Sequence, residues 1–290
     1  MMASQTLLSI LELETLEHNL FRGRSPATSW QRVFGGQVIA QALVAAQRTV
    51  EPDRHVHSLH AYFMLPGDPA IPIVYEVARL RDGGSFATRR VTAIQHGKAI
   101  FSLEASFQVE EAGLDHQVAM PQGLPGPEDL LSHSELVDQL GTAIPESMAR
   151  FWKRERPIEM KPVGLEHYIS REKLEPKQNI WVRVREQVPA ERAVQAAVLA
   201  YLSDMTLLDT STFAHGRALF DPDIQAASLD HAMWFHRPDA LGEWLLYTQD
   251  SPSSSGARGF TRGALYARDG TLVASVAQEG LIRLRAQHKK

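Results

Sequence analysis

The stretch Gln41-Ala-Leu-Val-Ala-Ala46 returns later in the chain as Gln195-Ala-Ala-Val-Leu-Ala200, and this recurrence decides how the fold is read. Both copies carry small apolar residues at helical spacing. Ser58-Leu59-His60-Ala61 follows the first copy, and Ser228-Leu229-Asp230-His231-Ala232, with one inserted residue, follows the second. Further on, Thr88-Arg89, Gly97 and Ser102 line up with Thr261-Arg262, Gly270 and Ser275. The matches keep one order in both halves, as expected of two equivalent units joined in tandem. They differ in polarity. Where the second copy has Asp204 and Gln278, the first has Val50 and Ala105.

Outward from the first match, Gly35-Gly36 opens a helix from about Gln37 to Thr49, which Pro52 closes. Four strands are expected after it: His55 to Leu65, Ile71 to Leu80, Phe86 to Gln95 and Ala99 to Val109. Their separators, Pro66-Gly67, Asp82-Gly83-Gly84 and His96-Gly97, are turn chemistry. Ahead of the helix lie an amphipathic helix from Gln5 to Leu13 and an extended segment from Asn19 to Gly23. One helix followed by strands on short turns implies an antiparallel sheet with the helix on one face. The helix is rich in Ala and Gly, so a strongly curved sheet can wrap it closely.

The second unit starts with a strand from Trp181 to Gln187 and a helix from Pro189 to about Ser203, with the proline at the first helical position. Strands follow at Ile224 to His236, Glu243 to Asp250, Arg258 to Ala267 and Leu272 to Arg283, with Ser251 to Gly256 expected as a flexible loop. Met120-Pro-Gln-Gly-Leu-Pro-Gly-Pro127 reads as a linker, followed by polar helices at Glu128 to Leu140 and Glu146 to Arg154. The fold class is therefore α+β, in tandem. An N-terminal repeat spans 1–110, a linker with short helices spans 111–178, and a C-terminal repeat spans 179–290.

With 290 residues and 44% hydrophobic content, the chain can bury a substantial core. A formal charge of −4 gives no basic footprint for nucleic acid. The absence of cysteine excludes disulfides, thiolate zinc sites and a cysteine nucleophile. Apolar runs are too short to cross a membrane, and the first twenty residues lack a signal peptide's pattern. The basic tail Gln287 to Lys290 lacks a Ser-Lys-Leu ending. A cytoplasmic protein without metal or cofactor is expected.

Three side chains of the second copy stand out. Ala193, Ala197, Ala200 and Asp204 share one helix face, so Asp204 continues a stripe directed at the sheet, in the last turn. It is either a solvated exit residue or a buried carboxylate whose pKa burial and the helix dipole would raise, as suits a general base. Gln278 falls on the more apolar face of its strand, as a structural tie or as a positioned donor and acceptor. Ser228 heads its strand, on the face of Asp230, Trp234 and His236, and is either a turn residue or a participant. No G-x-S-x-G elbow, H-E-x-x-H or G-x-x-x-x-G-K is present, and His55, His57 and His60 lack a neighbouring carboxylate. The surviving nucleophile is water.

Phe34-Gly-Gly-Gln-Val38, His57-Ser-Leu-His-Ala-Tyr-Phe63, Arg81-Asp-Gly-Gly-Ser-Phe86, Leu229-Asp-His-Ala-Met-Trp-Phe-His-Arg-Pro238 and Ser255-Gly-Ala-Arg-Gly-Phe260 resemble the acyl-CoA thioesterase II family over nearly the whole chain. The resemblance implies a double hot-dog fold, each repeat an antiparallel sheet wrapped around a long central helix. It also implies hydrolysis of fatty acyl-CoA to free acid and CoA without metal or cofactor, and association into a homo-oligomer such as a dimer or tetramer. The family's aspartate, hydroxyl residue and glutamine fall on Asp204, Ser228 and Gln278. Many relatives carry threonine at the hydroxyl position, and serine loses the methyl that restricts its rotamer. His60 is a substrate-lining candidate or a satisfied core histidine, and Arg89, Arg90, Arg258 and Arg262 are candidates for the CoA phosphates. A non-catalytic acyl-CoA binding protein and a hot-dog enoyl-CoA hydratase are the alternatives. The second needs a histidine beside the carboxylate, and none is expected there.

Overall fold

The computed structural model of the chain describes residues 6–26, 31–144, 146–154, 156–238 and 241–285; Gln5 and the tail from Gln287 to Lys290 lie outside them. The contacts divide the chain into two compact units. One comprises residues 1–117, 188–205 and 229–240, and the other 118–187, 206–228 and 241–290.

The first unit opens with α1 (Leu7–Leu11), capped by the Thr6 side chain, and then β1 (Glu14–Glu17) and β2 (Leu20–Gly23), joined at Asn19 with φ 58°. Helix α2 (Gly35–Gln47) follows, and then β3 (Arg54–Phe63), β4 (Ile73–Asp82), β5 (Phe86–Gln95) and β6 (Lys98–Val109). The four strands match the expected ones to within about two residues. They pair antiparallel in the order β1-β2-β4-β5-β6-β3. His96 and Gly97, with φ of 50° and 70°, make the β5–β6 turn, where two left-handed residues match the twist of a hairpin. Helix α2 lies on the inner face of this sheet. Ala40, Ala42, Ala45 and Ala46 are fully buried, and their small side chains let the axis come close to Leu59, Ile73 and Leu103, also fully buried. Each buried leucine or isoleucine stabilises by about 1.5–3 kcal/mol.

The second unit begins with α3 (His133–Leu140), α4 (Glu146–Trp152), β7 (Ile158–Pro162), α5 (Glu166–Ile169) and β8 (Lys177–Val184). Strand β7 falls in the segment read as linker. Ser132 and Glu135 close a capping box on α3, and Leu136, Val137, Met148, Trp152 and Tyr168 form a core of their own.

The chain returns to the first unit for α6 (Arg192–Ser203), which packs against α2. The helix begins after Glu191, so Pro189 precedes it and does not occupy its first position; Ala193 on the expected inward face is exposed. Back in the second unit come α7 (Thr210–Phe213) and β9 (Ile224–Ser228), then β10 (Asp230–Phe235) in the first, and finally β11 (Leu245–Ser255), β12 (Arg258–Tyr266) and β13 (Leu272–Leu284) in the second. Strand β10 extends the first sheet by pairing with β3. The second sheet runs β13-β12-β11-β8-β7, with β9 on β13. Residues 207–213 lie on it, and a Cβ at Gly280 or Gly259 would fall 2.5 Å from Leu208 or 2.4 Å from Ser211. Only glycine admits that approach.

Two readings are corrected. The strand expected from Ile224 to His236 is broken at Leu229 into β9 and β10. Ser251 to Gly256 is no loop, because β11 continues to Ser255 through a bulge after Asp250 and turns at Gly256 and Ala257, with φ of 56° and 60°. Among the described residues no helix is long and apolar enough to cross a membrane.

Candidate active site

Gln278 sits on β13 opposite Thr261 of β12 and two residues from Gly280, the partner of Ser228 at the end of β9. Strand alternation turns its side chain inward, where it is 1% exposed. The amide Nε2 donates to Ser228 Oγ at 2.5 Å. Serine oxygen thus accepts one hydrogen and keeps its own proton to offer elsewhere. The first copy has the buried Ala105 at the matching position of β6, where nothing of this kind can form.

Asp204 follows the last residue of α6 as its C-cap, with φ −82° and ψ −3°. Its side chain is 6% exposed, so it is not a solvated exit residue. Helix α6 disfavours a carboxylate at this end, but a second helix end opposes it. An ideal Cβ on Gly35, the first residue of α2, would lie 2.6 Å from Asp204 Oδ2 and 3.0 Å from the Phe63 ring. Helix α2 has no side-chain N-cap and no acidic residue in its first turn. The carboxylate therefore rests against the positive end of a second helix.

His231 is the residue that sequence reasoning missed. It is fully buried on β10, its Nδ1 lies 4.0 Å from Asp204 Oδ1, and its Nε2 lies 2.9 Å from Ser203 Oγ. Ser203 Oγ also lies 2.9 Å from the carbonyl of Ala200, so this serine ties His231 to the last turn of α6. Its Nδ1 edge is the one turned toward the carboxylate. This overturns the expectation that no histidine stands near Asp204. The signal was available, since Leu229, His231, Met233 and Phe235 alternate as one stripe, and a histidine inside it points the way its apolar neighbours point.

The other candidates lie apart. His60 is exposed on β3 and meets Trp234 edge to face at 5.3 Å, so it is not a core histidine. A bulge between Val56 and Ser58 breaks the alternation that would have turned it inward. Arg89 is buried among Thr49, Arg81 and Asp82 as a structural brace. Arg90, Arg258 and Arg262 are paired with Glu104, Glu279 and Asp250. His57 bonds Ser106 Oγ at 2.8 Å, and burial holds its pKa below the ordinary value. Among the described residues no group of three or more His, Asp or Glu side chains is placed to hold a metal ion.

Residues 149–281 match the family described as acyl-CoA thioesterase, and residues 24–108 match the acyl-CoA thioesterase N-terminal domain. The chain belongs to the acyl-CoA thioesterase family. It is 44% identical to acyl-coenzyme A thioesterase 8 of Mus musculus, over 98% of this chain and 91% of that protein. It is 38% identical to acyl-CoA thioesterase 2 of Haemophilus influenzae, over 96% of each chain. The crystal structure of an acyl-CoA thioesterase II from Mycobacterium marinum superposes with a TM-score of 0.79 at 41% identity, covering 97% of this chain and 99% of that one. A hot-dog protein from Alicyclobacillus acidocaldarius superposes at 0.76 with 18% identity, over 96% and 98%. The α+β fold is thus the hot-dog fold expected from the sequence.

Proposed function

We propose that the protein hydrolyses fatty acyl-CoA, with Asp204 as general base and Ser228 and Gln278 orienting the attacking water. The observation that carries the reading is the Gln278–Ser228 hydrogen bond, which fixes a hydroxyl on a buried amide and leaves its proton to be donated. Membership of the thioesterase family supports the reaction type.

In this mechanism the water oxygen attacks the thioester carbonyl carbon while its proton passes to Asp204. The tetrahedral intermediate collapses, the C–S bond breaks, and the thiolate of CoA takes the proton back. Charge on the carbonyl oxygen falls to the backbone N–H groups of Gly35 and Gly36, at the uncapped start of α2 beside the carboxylate. The start of α6 is the other candidate in principle. That end lies twelve residues from Asp204, about 18 Å at the rise of an α-helix, which is too far to serve the same atom.

A hydratase requires its histidine to reach substrate, whereas His231 is fully enclosed and engaged by Ser203. Asp204→Asn should abolish thiol release from palmitoyl-CoA while a non-hydrolysable acyl-CoA analogue still binds. Near-normal hydrolysis by that variant would refute the base assignment. Hydration of crotonyl-CoA, followed by absorbance, would favour the hydratase.

A further inference from the structure

The second unit holds a cavity of about 250 Å³ where the start of α3, the end of α4 and the segment after β8 meet, lined among others by His133, Lys153, Arg154, Arg156 and Arg185. Among the described residues four cations line it, of which Lys153 also pairs with Asp138 at 3.0 Å, and the one lining carboxylate, Glu159, bonds Arg183 at 2.8 Å. Ser132 and Ser134 at the start of α3 also line it, the helix start itself being closed by the Ser132–Glu135 capping box.

The floor is the unusual part. His133 is 5% exposed and stacks flat on Trp152, with ring centroids 4.5 Å apart and planes 2° from parallel. Neither of its ring nitrogens has a hydrogen-bond partner among the described residues. A buried imidazole without partners forgoes hydrogen bonds it would make in water, at a cost that needs an explanation. Burial, with Arg156 and His167 adding, pushes its pKa down to about 3, so it is neutral and carries one N–H to donate. Arg185 is exposed at the other wall, and among the described residues no side-chain hydrogen bond or ion pair engages it. The arrangement offers cations and a buried donor around one small space.

We propose that this cavity is a binding site for a phosphate dianion, free or esterified, held by Arg185, Lys153 and Arg154 and accepting a hydrogen bond from the His133 ring. The volume lies below the roughly 300–1,000 Å³ that encloses a drug-sized ligand. It fits a phosphoryl group with at most a fragment attached and excludes a whole acyl-CoA. The anion comes either free, as inorganic phosphate, or as the 3′-phosphate of a nucleotide.

The test is calorimetric titration of the full chain with inorganic phosphate, with adenosine 3′,5′-bisphosphate and with adenosine as a phosphate-free control, beside NMR of the histidine ring protons. Phosphate and the bisphosphate should bind while adenosine does not, and the His133 resonances should shift. A bisphosphate binding tenfold or more tightly than phosphate would assign the site to nucleotides; equal affinity would assign it to the free anion. Arg185→Gln removes a charge without touching the core and should weaken binding on the order of tenfold, as loss of one charge-assisted hydrogen bond does. His133→Phe keeps the stack on Trp152 and should weaken it further, whereas Lys98→Gln, on the β5–β6 hairpin of the other unit, should not. Absence of saturable binding by either phosphate would overturn the proposal. So would binding that Arg185→Gln leaves unchanged, or that leaves the His133 resonances in place.

Discussion

Replacing Gly35 by alanine separates catalysis from stability. The added Cβ would stand 2.6 Å from Asp204 Oδ2, where ordinary contact begins near 3.4 Å, so the carboxylate must retreat by about 0.8 Å. It cannot be absorbed by the ring on the other side, since the Phe63 edge is already 3.0 Å away. A misplacement near 1 Å in a reacting group costs about 10²-fold, or roughly 3 kcal/mol of transition-state stabilisation. The helix itself gains. Gly35 does not have a positive φ, and alanine is a better helix former by up to about 1 kcal/mol. Gly35→Ala should therefore melt within a few degrees of the parent and lose about two orders of magnitude in kcat, read as thiol release with a chromogenic disulfide. A variant that folds normally and keeps kcat within about threefold would refute the placement of Asp204 at the reacting centre.

Ser228→Ala should lower kcat by about ten- to a hundredfold in the same assay, and Ser228→Thr, which keeps the hydroxyl, should retain most of it. Burial pushes the Asp209 carboxyl up to about 7 from 3.8, with the charge of Arg156 opposing. A folded pKa above the unfolded one means stability that is present below pH 4 and lost as pH rises through about 7. Asp209→Asn should therefore raise stability at pH 8 by on the order of 2–4 kcal/mol and do little at pH 4, in denaturant titrations at the two pH values. His133 has the opposite sign: with a folded pKa near 3 it stays neutral while the unfolded chain protonates, so stability falls as pH drops from 6.5 toward 3. His133→Phe should flatten that acid limb of a melting-temperature profile. Ala257 holds φ 60° in the β11–β12 turn, and Ala257→Gly should stabilise by up to about 1 kcal/mol, measured by thermal melting.

The first sheet was readable because its turns are chemically explicit. His96-Gly97 and Asp82-Gly83-Gly84 mark strand ends, and β3 to β6 fall between them. The second half was harder for two reasons. Ser251 to Ser255 reads as a loop by composition, yet its backbone is carried on into the strand by pairing with β12, which overrides local preference. The repeat itself also slips. Arg89 is buried on β5, but at the matching pair on β12 it is Thr261 that is buried and Arg262 that is exposed, so aligning Thr-Arg with Thr-Arg sets the two strands one residue out of phase. A slip of one turns every side chain to the other face. Gly97 with Gly270, and Ala105 with Gln278, are aligned correctly, since both glycines have positive φ and both side chains are buried.

The site shows what kind of information a pattern can hold. That Gln278 faces inward follows from alternation alone, whereas the helix face of Asp204 left it either a solvated exit residue or a buried carboxylate, and the structure buries its side chain. Which groups surround them does not follow from the pattern, because those come from elements distant in the chain. Gly35 reaches Asp204 from 169 positions earlier in the sequence, and its role is legible only once α2 is seen to start there. The glycine pair was conspicuous in the sequence as a helix opener, but its physical cause is the space the Asp204 carboxylate takes at Gly35 and the Tyr201 carbonyl takes at Gly36. His231 makes the same point in reverse. Its alternation was visible, but its nearness to Asp204 was not, because only the fold brings β10 beside the end of α6 and sets Nδ1 4.0 Å from the carboxylate. His231→Gln puts that to measurement. If the imidazole sets the orientation and charge environment of Asp204, the acid limb of the kcat–pH profile moves while KM does not. If His231 only fills space, kcat and stability fall together and the limb stays where it was.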